Sequence, residues 1–166
     1  MKGGLVSLQF LNSRLANGLD LILTRTYFNA AKGDYRMECT VEFDKQQFDQ
    51  IENILNEELI ETGVQSVLLI DLAGNIIVSL DNGNINHDIY SLAALAAGNF
   101  GAVNAMAKII GEEDFSLLFH KGEKESINFS KVTEDLLLLT IFSKDLSLGF
   151  LRLKVAEAIR KIQNLI

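Results

Sequence analysis

The chain has no proline, a single cysteine and only two histidines in 166 residues. Without proline, segment boundaries fall to glycine, asparagine and aspartate and to changes in apolar period. Cys39 alone can form neither an internal disulfide nor a multi-thiolate metal site, and it suits a reducing, cytoplasmic setting. His87, in a polar loop, and His120, at a strand end, lack a cysteine partner and the helical spacing of a zinc site. No metal or other cofactor is expected. Positive charge is also scarce: 15 Lys and Arg stand against 22 Asp and Glu, a net charge of −7. Acidic clusters at Glu57/Glu58/Glu61 and Glu112/Glu113/Asp114 would repel phosphate, which argues against nucleic acid as a partner. The longest unbroken apolar runs, such as Leu92–Ala97 and Leu136–Leu139, fall short of a bilayer, so membrane insertion is not expected.

Catalytic signatures are missing as well. There is no Gly-x-x-x-x-Gly-Lys-Ser/Thr loop to hold phosphates, no Gly-x-Ser-x-Gly elbow, and no cysteine in a recognisable His and Asn setting. Asp71–Leu72–Ala73–Gly74–Asn75 resembles a GTPase magnesium segment, yet without a phosphate loop it reads as a hairpin turn. Glu123 and Glu125 beside a turn read as solvated carboxylates. The chain is expected not to be an enzyme.

What is present is 48% apolar content and a clear alternation of element types. Asp44 followed by Gln47 has the form of a capping box. Phe48, Ile51, Leu55 and Leu59 then recur at helical spacing, and Gly63 supplies a stop. Val67–Asp71 and Ile76–Leu80 predict a hairpin around Ala73–Gly74–Asn75. A long helix follows from Ile89 to Ile110, closed by Gly111. Three strands are predicted at Phe115–His120, Ser126–Val132 and Leu136–Phe142, then a last helix over Leu148–Leu165. The order is helix, two strands, helix, three strands, helix. In layers this is an α+β fold, an antiparallel sheet with helices on both faces.

Residues 1–41 read as an N-terminal extension to a domain spanning 42–166. Met1 to Arg36 has apolar clusters at Leu5–Leu11 and Leu19–Leu23, without capping or sustained alternation. Two readings stand side by side: a native extension that packs or stays flexible, and translation beginning at Met37. Lys32–Gly33–Asp34 can be encoded by a purine-rich run resembling a ribosome-binding site just upstream of that methionine.

The middle helix carries the functional information, because Ile89 to Ala107 holds no charged residue. A helical wheel sets Leu92, Leu95, Asn99, Val103, Met106 and Ile110 on one face, expected to cover the sheet. Ala94, Ala97, Gly98, Gly101 and Ala105 form the opposite face, expected to bind a partner. Gly98 and Gly101 each cost about 1 kcal/mol of helix propensity relative to Ala. A neutral stripe of small residues that admits another backbone would offset that cost. The competing reading is a helix buried within its own chain.

Several short motifs in order carry a family resemblance: Ser91–Leu92–Ala93, Ala97–Gly98–Asn99, Ala107–Lys108, Ile110–Gly111–Glu112, Phe119–His120 with Gly122, and Phe142. Ser147–Leu148–Gly149 and Leu151–Arg152–Leu153 complete the series. Over about Glu42–Ile166 the chain resembles the Roadblock family, and within it the MglB-type bacterial GTPase-activating proteins. It departs at Phe150, where a smaller aliphatic residue is usual, and in its longer N-terminus.

The resemblance implies a five-stranded antiparallel sheet, with the first and third helices on one face and the second on the other. It implies a homodimer joined along the edge strand Phe115, Ser116, Leu117, Leu118, Phe119 and His120. The paired middle helices would form the platform for a Ras-like, MglA-type small GTPase, with a role in bacterial cell polarity. Beyond Met37 the only arginines are Arg152 and Arg160, both on the last helix and so expected away from that platform. Activation without an inserted arginine follows as the expectation. A structural adaptor that holds a GTPase or motor subunit is the alternative.

Overall fold

The computed structural model describes the backbone of residues 6–11, 14–15, 18–19, 21–29, 34–83, 87–115 and 117–166, with side chains from residue 43 onward in those ranges. The chain divides into two compact units, Met1–Gln50 and Ile51–Leu165.

In the first unit, β1 (Val6–Leu11), β4 (Leu21–Asn29) and β5 (Asp34–Phe43) form an antiparallel sheet in the order β1-β4-β5. β2 (Arg14–Leu15) and β3 (Gly18–Leu19) make a short ladder between them in sequence. The sequence reading assigns no element before Met37. The strands are nevertheless rich in β-formers, Ile22, Thr24, Thr26, Tyr27 and Phe28 in β4 and Thr40, Val41 and Phe43 in β5. β5 alternates polar and apolar residues from Asp34 to Phe43 and β1 from Val6 to Phe10, a strand signal that the reading by apolar clusters passes over, whereas β4 lacks steady alternation. β5 runs through Met37, which pairs with Thr26.

Helix α1 (Lys45–Leu55) begins at the expected capping box. The Asp44 backbone N–H donates to Gln47 Oε1 at 3.1 Å, and Asp44 Oδ1 accepts from the Gln47 backbone N–H at 2.7 Å. The helix then widens into a π-turn, Asn56–Ile60.

The second unit is built on β6 (Ser66–Asp71), β7 (Ile76–Asp81), β8 (Leu118–Lys121), β9 (Glu125–Lys131) and β10 (Leu136–Ser143). Their order is β7-β6-β10-β9-β8, and every neighbouring pair is antiparallel. α2 (Ile89–Ile110) covers one face, and the end of α1 with α3 (Leu148–Gln163) covers the other. This is the expected α+β architecture. Central β10 is buried on both faces, which is why Leu136–Leu139 reads as one apolar run without alternation. Leu137 and Leu139 join Leu68, Ile70 and Phe129 beneath α2, whereas Leu136 and Leu138 point to the other face.

Asp71 ends β6 and organises the hairpin turn. Its Oδ1 accepts from the backbone N–H groups of Ala73 and Asn75, both at 2.8 Å, and its Oδ2 accepts from Asn75 Nδ2 at 2.8 Å. The carboxylate is therefore occupied by its own turn. Gly74 adopts φ +88°, and a Cβ there would lie 2.7 Å from the Ala94 Cα, so the turn lies directly against α2.

Candidate functional site

α2 starts at Asp88, whose carboxylate accepts from the Ser91 hydroxyl at 2.6 Å and the Ser91 backbone N–H at 3.2 Å. These bonds, the hydroxyl's first, hold the Asp88 carboxyl below the ordinary range. The helix ends at Gly111, φ +87°, where the Glu112 backbone N–H returns to the Ala107 carbonyl at 3.0 Å. Between these caps it runs 22 residues, long and apolar enough to cross a membrane by length and composition alone. Its buried face is taken by the sheet, through Ala93, Ala96, Ala97 and Ala107, with Leu92 and Phe100 packed beside them.

This face differs from the one expected. Leu95 is 72% exposed, and Met106 and Ile110 also point to solvent, whereas Ala97 is only 6% exposed and belongs to the core. The sheet already supplies the bulk through Leu68, Ile70, Leu137, Leu139 and Phe129, so small residues on the helix let it approach closely. The spacing Ala93, Ala96/Ala97, Phe100, Asn104, Ala107 carries the signal of the buried stripe, which side-chain size as a guide conceals.

Ala94, Gly98, Gly101 and Ala105 are exposed as expected. A Cβ added at Gly98 or Gly101 would meet nothing within 4 Å, so no packing inside the chain requires either glycine. Tyr90, Leu95, Met106, Ile109 and Ile110 frame this small-residue surface with exposed apolar side chains. Ile109 is 83% exposed. An uncharged surface flanked by large exposed apolar groups is the composition of an interface core.

The edge strand sits beside this face. β8 is the terminal strand of the sheet, and among the described residues its outer edge has no strand partner. It is shorter than expected: Phe115 and Leu117 precede it as exposed loop residues, and Ser116 lies outside the described residues. The acidic turn and its helix cap keep the chain out of the ladder until Leu118. Leu118, Phe119 and His120 are in the strand, with alternating directions. Phe119 stacks on Phe142, ring centroids 5.9 Å apart, on the α3 side. His120 faces α2, where its Nε2 lies 2.8 Å from Asn99 Nδ2 and its ring meets Phe129 edge-on.

Groups that could serve hydrolysis are wired otherwise. Near the start of α2 a groove of about 390 Å³ brings together His87, Asp88, Ser91 and Glu125 over Leu92 and Leu95. Ser91 donates directly to Asp88 as part of the helix cap, and His87 Nε2 pairs with Glu125 at 3.2 Å. The carboxylate that accepts from the serine is thus the helix cap, and the imidazole is paired with Glu125 instead of the serine, which is not the arrangement of a histidine-activated nucleophile.

The chain thus presents an antiparallel five-stranded sheet with an open edge strand and a solvent-facing helix that carries no charged residue from Ile89 to Ala107. The Roadblock/LC7 domain model matches residues 50–142, and the chain belongs to that family. No curated protein sequence matches the chain. Among solved structures it is similar to MglB of Myxococcus xanthus, at 32% identity and a TM-score of 0.65, over 76% of this chain and 96% of that one. An MglB with a tetrameric arrangement gives 28% identity and a TM-score of 0.67, over 72% and 89% of the two chains. The gliding protein MglB of Thermus thermophilus gives 25% and 0.62, over 72% and 88%.

Proposed function

We propose that the chain is a non-catalytic regulator of a Ras-like small GTPase and works as a homodimer. The observation that carries this reading is the outer face of α2, where Gly98 and Gly101 open onto empty space between exposed Leu95 and Ile109. In this reading two chains join along β8, and the paired α2 helices receive the GTPase. The similarity to MglB proteins supports the choice of partner.

The dimer stimulates hydrolysis by positioning the GTPase's own catalytic groups. Arg152 and Arg160 lie on α3, across the sheet from α2, so neither is offered as an arginine finger. Multiple-turnover GTP hydrolysis by the small GTPase of the same organism, with and without the chain, tests the proposal. Stimulation that survives Arg152→Ala and Arg160→Ala supports positioning. Binding without any stimulation would instead make the chain an adaptor, and stimulation abolished by either arginine variant with binding intact would exclude this mechanism.

A further inference from the structure

α2 carries a second surface beside the small-residue stripe, on the side of the open sheet edge. Leu92, Leu95, Asn99, Ala102, Met106 and Ile109 follow one another at alternate steps of three and four residues, the a and d positions of a heptad seam. None is charged, and none belongs to the buried stripe of Ala93, Ala96, Ala97 and Ala107. Leu95, Ala102, Met106 and Ile109 are exposed, and Leu92 and Asn99 are half-buried. The contact of Asn99 with His120 fixes where the seam looks, since it ties the central position to β8. Beside Leu92 and Leu95 lies the groove of about 390 Å³, with Ile127 and Ile141 also in its lining. Met106 is 52% exposed and stands seven residues after Asn99, as Leu92 stands seven before it. Each separation is about 10 Å of helix.

We infer that the occupant of this groove is Met106 of a second copy of the chain, in an antiparallel α2 pair with Asn99 at its axis. This rests on the homodimer reading and adds which faces of α2 meet. A second α2 turned antiparallel about an axis beside Asn99 sets its Met106 level with Leu92, at the groove, and the exchange is reciprocal. The seam selects a copy of itself because it reads alike from both ends, apolar at Leu92, polar at Asn99 and apolar at Met106. A polar residue at a central a position fixes register. The contact with His120 uses one of the two amide N–H groups of Asn99, which leaves Oδ1 and the other for Asn99 of the copy. Net charge of −7 repels a second copy at long range, so the attraction comes from an uncharged seam, and salt strengthens it by screening that repulsion. Ala94, Gly98, Gly101 and Ala105 lie about 100° further round the helix and stay open in the pair.

The test uses the full chain labelled with ¹³C-methyl methionine. Its methionines are Met1, Met37 and Met106, and Met106→Leu identifies the signal of interest. A nuclear Overhauser contact between the methyl groups of Met106 and Leu92 is expected. Within one chain fourteen residues of helix hold them about 21 Å apart, so only a second copy can produce it. Met106→Glu, checked for folding by circular dichroism, is expected to weaken self-association about tenfold or more in sedimentation velocity. Raising the salt should strengthen association of the native chain, and Gly101→Arg should leave the methyl contact in place. The inference is overturned if the native chain dimerises without that contact, if folded Met106→Glu dimerises as well as the native chain, or if salt weakens association. The homodimer reading survives each of these results, whereas a chain that stays monomeric at every concentration overturns both. A Met106 signal that moves only when the GTP-loaded GTPase is added would give the groove to the GTPase, and would equally overturn the inference.

Discussion

Asn99 on α2 and His120 on the edge strand β8 bring their side-chain nitrogens Nδ2 and Nε2 to 2.8 Å. With the amide donating, the imidazole accepts at Nε2, and the ring is steadied edge-on by Phe129 at 5.3 Å between centroids. The helix that carries the exposed apolar face is thus tied to the strand that carries the open sheet edge. Asn99→Ala should cost about 1 kcal/mol in urea unfolding. It should weaken the proposed dimer more than it weakens the fold, as read by sedimentation velocity across a dilution series. Unchanged self-association would separate the two elements functionally.

Acid stability should track Glu58. Hydrogen bonds from Lys161 and then Lys154 hold its carboxyl far down, from 4.5 to about 2. A carboxyl depressed on folding stabilises the protein above its unfolded pKa, and that contribution is lost as pH falls through the folded value. The native chain should therefore lose part of its stability between about pH 4.5 and pH 2. Glu58→Gln should be less stable than the native chain at neutral pH, with the difference narrowing through that window. Thermal melts at a series of pH values measure it, and a difference that widens on acidification would contradict the ion-pair account.

Gly98 and Gly101 should be places where stability and binding oppose each other. Each is helical and its added Cβ would meet nothing in the chain, so Gly98→Ala and Gly101→Ala should each stabilise the folded chain by about 1 kcal/mol. The same methyl groups would hold a partner backbone away, and association should weaken. Paired thermal melts and binding titrations check both signs, and an alanine variant that gained in both would leave the glycines without an interface role.

The order of elements from α1 onward is legible because each strong periodic segment has its own punctuation. Asp44 and Gln47 announce α1, Gly111 closes α2, and Ala73–Gly74–Asn75 marks the hairpin. The orientation of α2 is not legible from side-chain size, since large residues normally face a core. Here Leu95, Ile109 and Ile110 face outward because Ala93, Ala96 and Ala97 fit against a sheet already filled with leucine and isoleucine. The start of β8 is misleading because Phe115 and Leu117 have strand-like chemistry, while the acidic turn after Gly111 delays pairing until Leu118. In the N-terminal strands the alternation of β1 and β5 is a legible signal that apolar clusters alone do not bring out, while β4 lacks it; the π-turn at Asn56 and the carboxylate of Glu58 between two lysines from a distant helix have no local signal. No local pattern encodes contacts across nearly a hundred residues.

The most direct test of the central claim is the affinity of the GTP-loaded small GTPase for Gly101→Arg, with Ala97→Arg as its contrast. Gly101 opens to solvent, so Gly101→Arg should leave the chain folded and abolish GTPase binding. Ala97 lies in the core, and an arginine there should unfold the domain, at a cost of about 3–5 kcal/mol for an unpaired buried charge. Loss of binding by folded Gly101→Arg is the result this account predicts; full binding by folded Gly101→Arg would show that the outer face of α2 is not the GTPase platform.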